Sequence, residues 1–154
     1  DLRRPIAHRT FNLLNAAGLS SYLSNNAVYE EIIQETEVPN LSVISSGPVP
    51  PNPAELLNSR HINTLIERLE DEYDIIIFDV PPINTVTDAQ LLANKADGVI
   101  LVVPQGIAEK GGVTHAVEQL NKVHAKVLGT VMNRFKADKA PGYYGGYYGV
   151  DDKK

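Results

Sequence analysis

Asp74-Ile75-Ile76-Ile77-Phe78-Asp79-Val80-Pro81-Pro82 decides the fold. Four apolar residues, three of them β-branched, run without a polar break and end on an acid. A continuous run of this length suits a strand covered on both faces, as in parallel sheets. The prolines then end the strand, because each fixes φ and removes an amide donor. Outward from it, Gly98-Val99-Ile100-Leu101-Val102-Val103 and Val127-Leu128-Gly129-Thr130-Val131-Met132 repeat the pattern, and Leu41-Ser42-Val43-Ile44 is a weaker version.

Helical spacing separates these runs. In 61–72, Ile62, Leu65, Ile66 and Leu69 recur at i, i+3, i+4, i+7; in 109–124, Val113, Ala116, Val117, Leu120 and Val123 form a similar stripe. A shorter helix is expected over 88–96 with Thr87 as its N-cap, and an earlier one near 27–35 carrying Val28, Ile32 and Ile33. Strands alternating with helices predict an α/β fold: a mainly parallel sheet with helices on both faces. Gly47-Pro48-Val49-Pro50-Pro51-Asn52-Pro53 reads as a rigid extended loop. Periodicity is lost from about Ala137, which predicts a domain over 1–136 and a flexible tyrosine-rich tail over 137–154.

A length of 154 residues fits one domain. The net charge of -5 argues against a general nucleic-acid binder, which needs a basic face. No apolar run approaches the roughly 20 residues of a membrane span, and the polar start Asp1-Leu2-Arg3-Arg4-Pro5 does not read as a signal peptide. The first residue is not Met, as expected of a fragment. Without cysteine there are no disulfides, thiolate metal sites or Cys nucleophiles, which suits a reducing cytosol.

Ligands of open parallel sheets bind outside the carboxyl ends of the strands, where Asp79 stands. In P-loop nucleotide enzymes this is the Walker B position, whose acid holds magnesium. An Asp capping the following loop is the plainer alternative, and Asp-x-Pro-Pro sharpens the first. The phosphate loop G-x-x-x-x-G-K-[ST] does not occur in these residues. Its nearest imitation, Gly106-Ile107-Ala108-Glu109-Lys110-Gly111, continues with Gly112 and Val113, so it reads as a strand-to-helix loop. His8, His61, His115 and His124 lack metal-ligand spacing. No nucleophile elbow supports hydrolase chemistry. The P-x-x-P within 48–53 fits a structural loop better than a partner site. Tyr143, Tyr144, Tyr147 and Tyr148 stand on a glycine scaffold, equally compatible with a low-complexity sticky end and with a set of phosphorylation acceptors.

Taken together, Asp1-Leu2-Arg3-Arg4-Pro5, Ser46-Gly47-Pro48-Val49-Pro50-Pro51-Asn52-Pro53-Ala54-Glu55-Leu56-Leu57, Tyr73 through Pro82 and the tyrosine cluster resemble the bacterial tyrosine kinases of capsular and exopolysaccharide synthesis. These belong to the deviant P-loop ATPases that also include MinD and ParA. The resemblance spans essentially the whole chain, and the Pro-Pro-Asn-Pro segment and tyrosine tail separate it from MinD and ParA. It implies a P-loop fold, ATP and Mg²⁺ as cofactors, and protein-tyrosine kinase activity. Asp79 matches Walker B. Asp1 matches the second acid of Walker A′, whose first acid and strand, like the Walker A loop, would precede residue 1. Asp1 and Asp79 are thus the implied catalytic and metal-side acids, Asn133 the implied adenine reader, and Tyr143, Tyr144, Tyr147 and Tyr148 the implied acceptors.

The chain then corresponds to the C-terminal two-thirds of such a kinase, and alone it is expected to be inactive for want of a phosphate loop. The resemblance further implies a membrane-anchored polysaccharide co-polymerase as activator, an opposing phosphotyrosine phosphatase, a homo-oligomer, no nucleic acid, and a place in the cytoplasm at the inner face of the cell membrane. Two alternatives stand beside it: a MinD- or ParA-like ATPase that makes no phosphotyrosine, and a truncated, non-catalytic phospho-acceptor or interaction module.

Overall fold

A computed structural model of the chain describes residues 1–135. Its elements in order are α1 (Ala7–Thr10), α2 (Leu19–Leu23), α3 (Tyr29–Ile32), β1 (Ile33–Glu35), β2 (Ser42–Ile44), α4 (Pro53–Leu57), α5 (Arg60–Glu72), α6 (Asp88–Ala93), β3 (Val99–Pro104), α7 (Lys110–Lys122) and β4 (Val127–Asn133). β3 and β4 pair in parallel with α7 as the crossover, from Val99 opposite Val127 to Pro104 opposite Asn133, with one irregularity between Val99 and Ile100. This is the expected α/β arrangement. The long helices also lie where periodicity puts them.

The main core gathers on α5. Ile62, Leu65, Ile66 and Leu69, its predicted stripe, are buried together with Leu2, Leu23, Tyr29, Ile32, Leu57 and Leu92. Short elements pack around this stripe because none buries an apolar face alone. Gly18 and Gly47 bring two chain segments together: a Cβ on Gly18 would collide with the Gly47 backbone, and Gly47 has φ +73°. Asn15 bridges the contact, its Oδ1 accepting from the Gly47 amide at 2.9 Å and its Nδ2 donating to the Gly47 carbonyl at 3.0 Å.

Several expectations need correction. After a bend at Asp74, residues 75–80 form no ladder among the described residues, so the expected strand is absent. Their side chains still alternate: Ile76, Phe78 and Val80 pack against the core while Ile75 and Ile77 are 78% and 86% exposed. The apolar pattern sets backbone conformation and facing; the ladder needs a partner, and none of the described residues supplies one. Residues 41–44 do contain a strand, but β2 pairs antiparallel with β1 in a separate sheet, with Gln34 opposite Val43.

The helix expected near 27–35 is one turn, after which Ile33 enters β1. The Glu31 carboxylate accepts from the Val28 amide at 2.9 Å, and Val28 has no side-chain acceptor with which to return the bond. The helix expected over 88–96 ends at Ala93, and Thr87 occupies its N-cap position without a side-chain cap bond. Pro53 does not extend the proline loop: it is the first residue of α4, where a missing amide costs nothing.

Candidate functional site

The chain brings Asp1 and Asp79 together across 78 positions: the Asp1 amino nitrogen donates to the Asp79 carbonyl oxygen at 2.8 Å and lies 4.0 Å from Asp79 Oδ2. The Asp1 carboxylate is oriented by its own backbone, because Oδ1 accepts from the Arg3 amide at 2.8 Å and the Arg4 amide at 3.1 Å. The Asp79 side chain is 80% exposed and carries no hydrogen bond among the described residues. Its oxygens are free to meet a ligand.

One residue pair escaped the sequence reading. The Arg3 guanidinium grips Asp88 through two parallel bonds, Nε to Oδ2 at 2.9 Å and Nη2 to Oδ1 at 2.8 Å. Asp88 is 1% exposed, and the grip raises the Arg3 pKa against some desolvation. The clamp ties the segment carrying Asp1 to the first residue of α6. The linear sequence offered a weak signal, an Asp in the first turn of a helix, but its partner lies 85 positions away.

Asn133 closes β4, and its carbonyl oxygen accepts from the Gln105 amide at 2.9 Å, extending the pairing with β3 by one rung. Its side-chain Oδ1 is taken by the Arg134 amide at 2.7 Å, leaving Nδ2 as an exposed donor. Asn133 makes no hydrogen bond to the Asp1–Asp79 pair. The expected acceptors Tyr143, Tyr144, Tyr147 and Tyr148 lie outside the described residues.

Carboxylates at Asp1 and Asp79 are oxygen donors of the kind a hard divalent cation takes. The free Asn133 amide donor suits an acceptor on a purine edge. The Asp1 and Asp79 carboxylates are of the donor type that fits a divalent cation, while Asn133 offers its amide donor with no contact to the acid pair among the described residues.

Comparison with known proteins gives a consistent picture. Residues 6–133 match the AAA domain family. The putative tyrosine-protein kinase CapB of Staphylococcus aureus is 44% identical over 151 residues, which cover 98% of this chain and 66% of that protein. The tyrosine-protein kinase CpsD of Streptococcus agalactiae is 40% identical over 157 residues, covering 100% of this chain and 68% of the relative. Among solved structures, the chimerical protein CapA2B2 superposes with a TM-score of 0.85 at 44% identity, covering 88% of this chain and 60% of that one. The chain spans about two thirds of the length of the curated relatives it matches. It belongs to the bacterial tyrosine-protein kinases, within the AAA-type P-loop family.

Proposed function

We propose that this chain is part of an ATP-dependent, autophosphorylating protein-tyrosine kinase of capsular or exopolysaccharide synthesis. One observation carries the reading: Asp1 and Asp79, two acids at the ends of separate segments, are held together at the end of an apolar extended run. Kinase relatives at 40–44% identity over nearly the whole chain support it.

In this reading Asp1 and Asp79 hold Mg²⁺ and Asn133 Nδ2 donates to the adenine of ATP. The bound magnesium nucleotide supplies the phosphoryl group and the neutralisation of its charge. Asp79 contributes an exposed carboxylate, free of hydrogen bonds among the described residues. Asp1 Oδ2, free of hydrogen bonds among the described residues, is assigned to accept the phenolic proton of an incoming tyrosine. Residues 137–154 form the tail that brings Tyr143, Tyr144, Tyr147 and Tyr148 into a neighbouring subunit's site. Each phosphate adds about -1.5 to -2 charge next to Asp151 and Asp152 and weakens docking by repulsion.

No helix among the described residues is long and apolar enough to cross a membrane. In the proposed assembly a membrane-anchored activator recruits the kinase, a phosphotyrosine phosphatase resets it, and the subunits form a homo-oligomer.

The second reading, a phospho-acceptor module without catalysis, rests on the lack of a G-x-x-x-x-G-K-[ST] loop in these 154 residues. The test joins this chain to the part of the Staphylococcus aureus relative that it does not match. Phosphotyrosine should then appear with ATP and Mg²⁺. Asp79→Asn, nearly isosteric, should abolish it without unfolding the protein. Replacing the four tail tyrosines by Phe should remove most phosphotyrosine and leave ATP binding unchanged. Undiminished phosphotyrosine in Asp79→Asn would remove that acid from the mechanism, and none in the parent fusion would leave the acceptor-module reading.

A further inference from the structure

The proline segment that follows Gly47 does more than connect β2 to α4. Proline at 48, 50 and 51 fixes φ near the polyproline II value, that of a left-handed helix with three residues per turn. Burial follows that period: Gly47 and Pro53 are buried and Pro50 is half-buried, while Pro48, Val49, Pro51 and Asn52 are exposed. One face of the segment therefore rests on the protein and two face outward. Pro48 and Pro51 share one outward face, and Val49, 59% exposed, stands beside them.

Both ends of the segment are pinned. Asn15 holds the amide and carbonyl of Gly47, and the Ser20 hydroxyl donates to the Pro48 carbonyl at 2.7 Å. At the far end Pro53 is built into α4, and the Leu56 amide donates to the Asn52 carbonyl at 3.3 Å. Pro48, Pro50 and Pro51 have no amide, and the Val49 amide makes no hydrogen bond among the described residues. The crest Pro48–Pro51 is thus apolar, exposed and already ordered. Such a surface loses little conformational freedom when a partner covers it. Aromatic rings are the groups that recognise polyproline II segments.

The sequence holds the complementary chemistry. Of seven tyrosines, four stand at 143, 144, 147 and 148, whereas Tyr29 is buried and Tyr73 packs against the core. Glycines at 142, 145, 146 and 149 flank the two Tyr-Tyr pairs and put no side chain between the rings and a partner. Residues 136–154 can span up to roughly 60 Å when extended, ample for reaching an adjacent molecule. We propose that the Pro48–Pro51 crest is a docking surface for residues 142–149 of a second copy of this chain, whose tyrosine rings stack on the prolines and Val49. The inference rests on the proposed function for one point, that the tail meets a neighbouring subunit, and adds to it a holding surface apart from Asp1 and Asp79.

The probe is a fluorescent synthetic peptide of residues 137–154, titrated without ATP into the full chain carrying Tyr143→Ser, Tyr144→Ser, Tyr147→Ser and Tyr148→Ser, so that the chain's own tail does not compete. Saturable binding is expected by fluorescence anisotropy. Adding Pro48→Ala and Pro51→Ala to the chain should weaken it about tenfold. In the peptide, Tyr→Ser at all four positions should abolish binding and Tyr→Phe should keep it, because stacking needs the ring and not the hydroxyl. In the isotope-labelled chain with its crest intact, the Val49 amide resonance should shift as peptide is added. That signal decides even if the proline variant unfolds, since Val49 carries the one amide within 48–51. No binding, equal binding by the Tyr→Ser peptide, or an unmoved Val49 would overturn the proposal. An SH3 domain, whose aromatic groove takes such segments, runs alongside: a Val49 shift with it and not with the peptide would overturn the tail as occupant. Phosphotyrosine in the fusion without peptide binding overturns the docking alone; peptide binding with no phosphotyrosine overturns the kinase reading and supports the docking.

Discussion

Val99–Pro104 and Ile75–Val80 are both extended, apolar and of similar length, and they are held in place by different forces. The first is stitched to β4 along its whole length, with partners from Val127 to Asn133. Among the described residues the second has one backbone bond, at Asp79, and otherwise rests on Ile76, Phe78 and Val80 packed against the α5 cluster. Side-chain burial can hold a segment straight without a ladder, at the cost of leaving its amides to solvent. The exposure also differs in kind: β3 leaves Ile100 and Val102 uncovered on one face, while the unpaired segment leaves both an apolar face and two backbone edges open.

If packing on α5 holds the unpaired segment, truncation beneath it should cost most. Ile62 is fully buried, and Ile62→Ala should destabilise the chain by about 2–5 kcal/mol in urea unfolding, with Ile76 and Phe78 loosened as well. Ile77→Ala, one step along the exposed side, should stay within about 0.5 kcal/mol of the parent. Equal costs for the two would break the distinction between a packed and an open face.

The Arg3–Asp88 clamp sharpens the comparison from the other end of the segment, because it anchors the stretch carrying Asp1, which bonds to the Asp79 carbonyl. Arg3→Ala strands a buried carboxylate and should lower the melting temperature clearly. Arg3→Lys keeps the charge but not the two-pronged geometry and should fall between. Both should speed amide exchange around Asp79 more than in β3. An unchanged melting temperature in Arg3→Ala would show that the clamp does not hold this end.

The smallest effect is expected on the packed side away from the segment. Tyr29 is buried, donates to Glu72 at 2.9 Å and lies under the Arg68 guanidinium, 3.6 Å from the ring centre. Burial first, then the Glu72 bond, push its phenol up to about 12. A raised pKa means the folded state keeps a proton that the unfolded chain releases near pH 10. Stability from this group is complete below pH 10 and should fall as pH rises towards about 12. Tyr29→Phe should flatten that alkaline decline, read from urea midpoints, while Tyr22→Phe should leave it in place.

Long elements were readable because periodicity accumulates over many residues: α5 and α7 span 13 each, the α5 stripe is buried throughout, and on α7 the buried residues Ala116 and Leu120 fall on the expected stripe while Val113, Val117 and Val123 are half-buried. Four- and five-residue helices such as α1, α2 and α4 carry too few positions for a period; Leu23 of α2 and Leu57 of α4 join the α5 cluster, which gives those two helices something to cover. Ile33 misled for a related reason: with Val28 and Ile32 it completes a helical spacing, while in the fold it starts β1 opposite Ile44. At the candidate site, Asp79 was legible from its apolar run and following prolines. Asp88 was not, since a buried acid shows its meaning only beside Arg3, and that encounter is made by tertiary folding.

The most direct test of the account is calorimetric titration of residues 1–154 alone with ATP and Mg²⁺. Acids are present at Asp1 and Asp79, an exposed amide donor is present at Asn133, and no G-x-x-x-x-G-K-[ST] loop occurs in these 154 residues. Such a set should give only weak binding, and fusion to the unmatched portion of the Staphylococcus aureus relative should convert it to tight, magnesium-dependent binding lost in Asp79→Asn. Tight, magnesium-dependent ATP binding by the 154 residues alone would contradict the claim that these acids are one part of a divided nucleotide site.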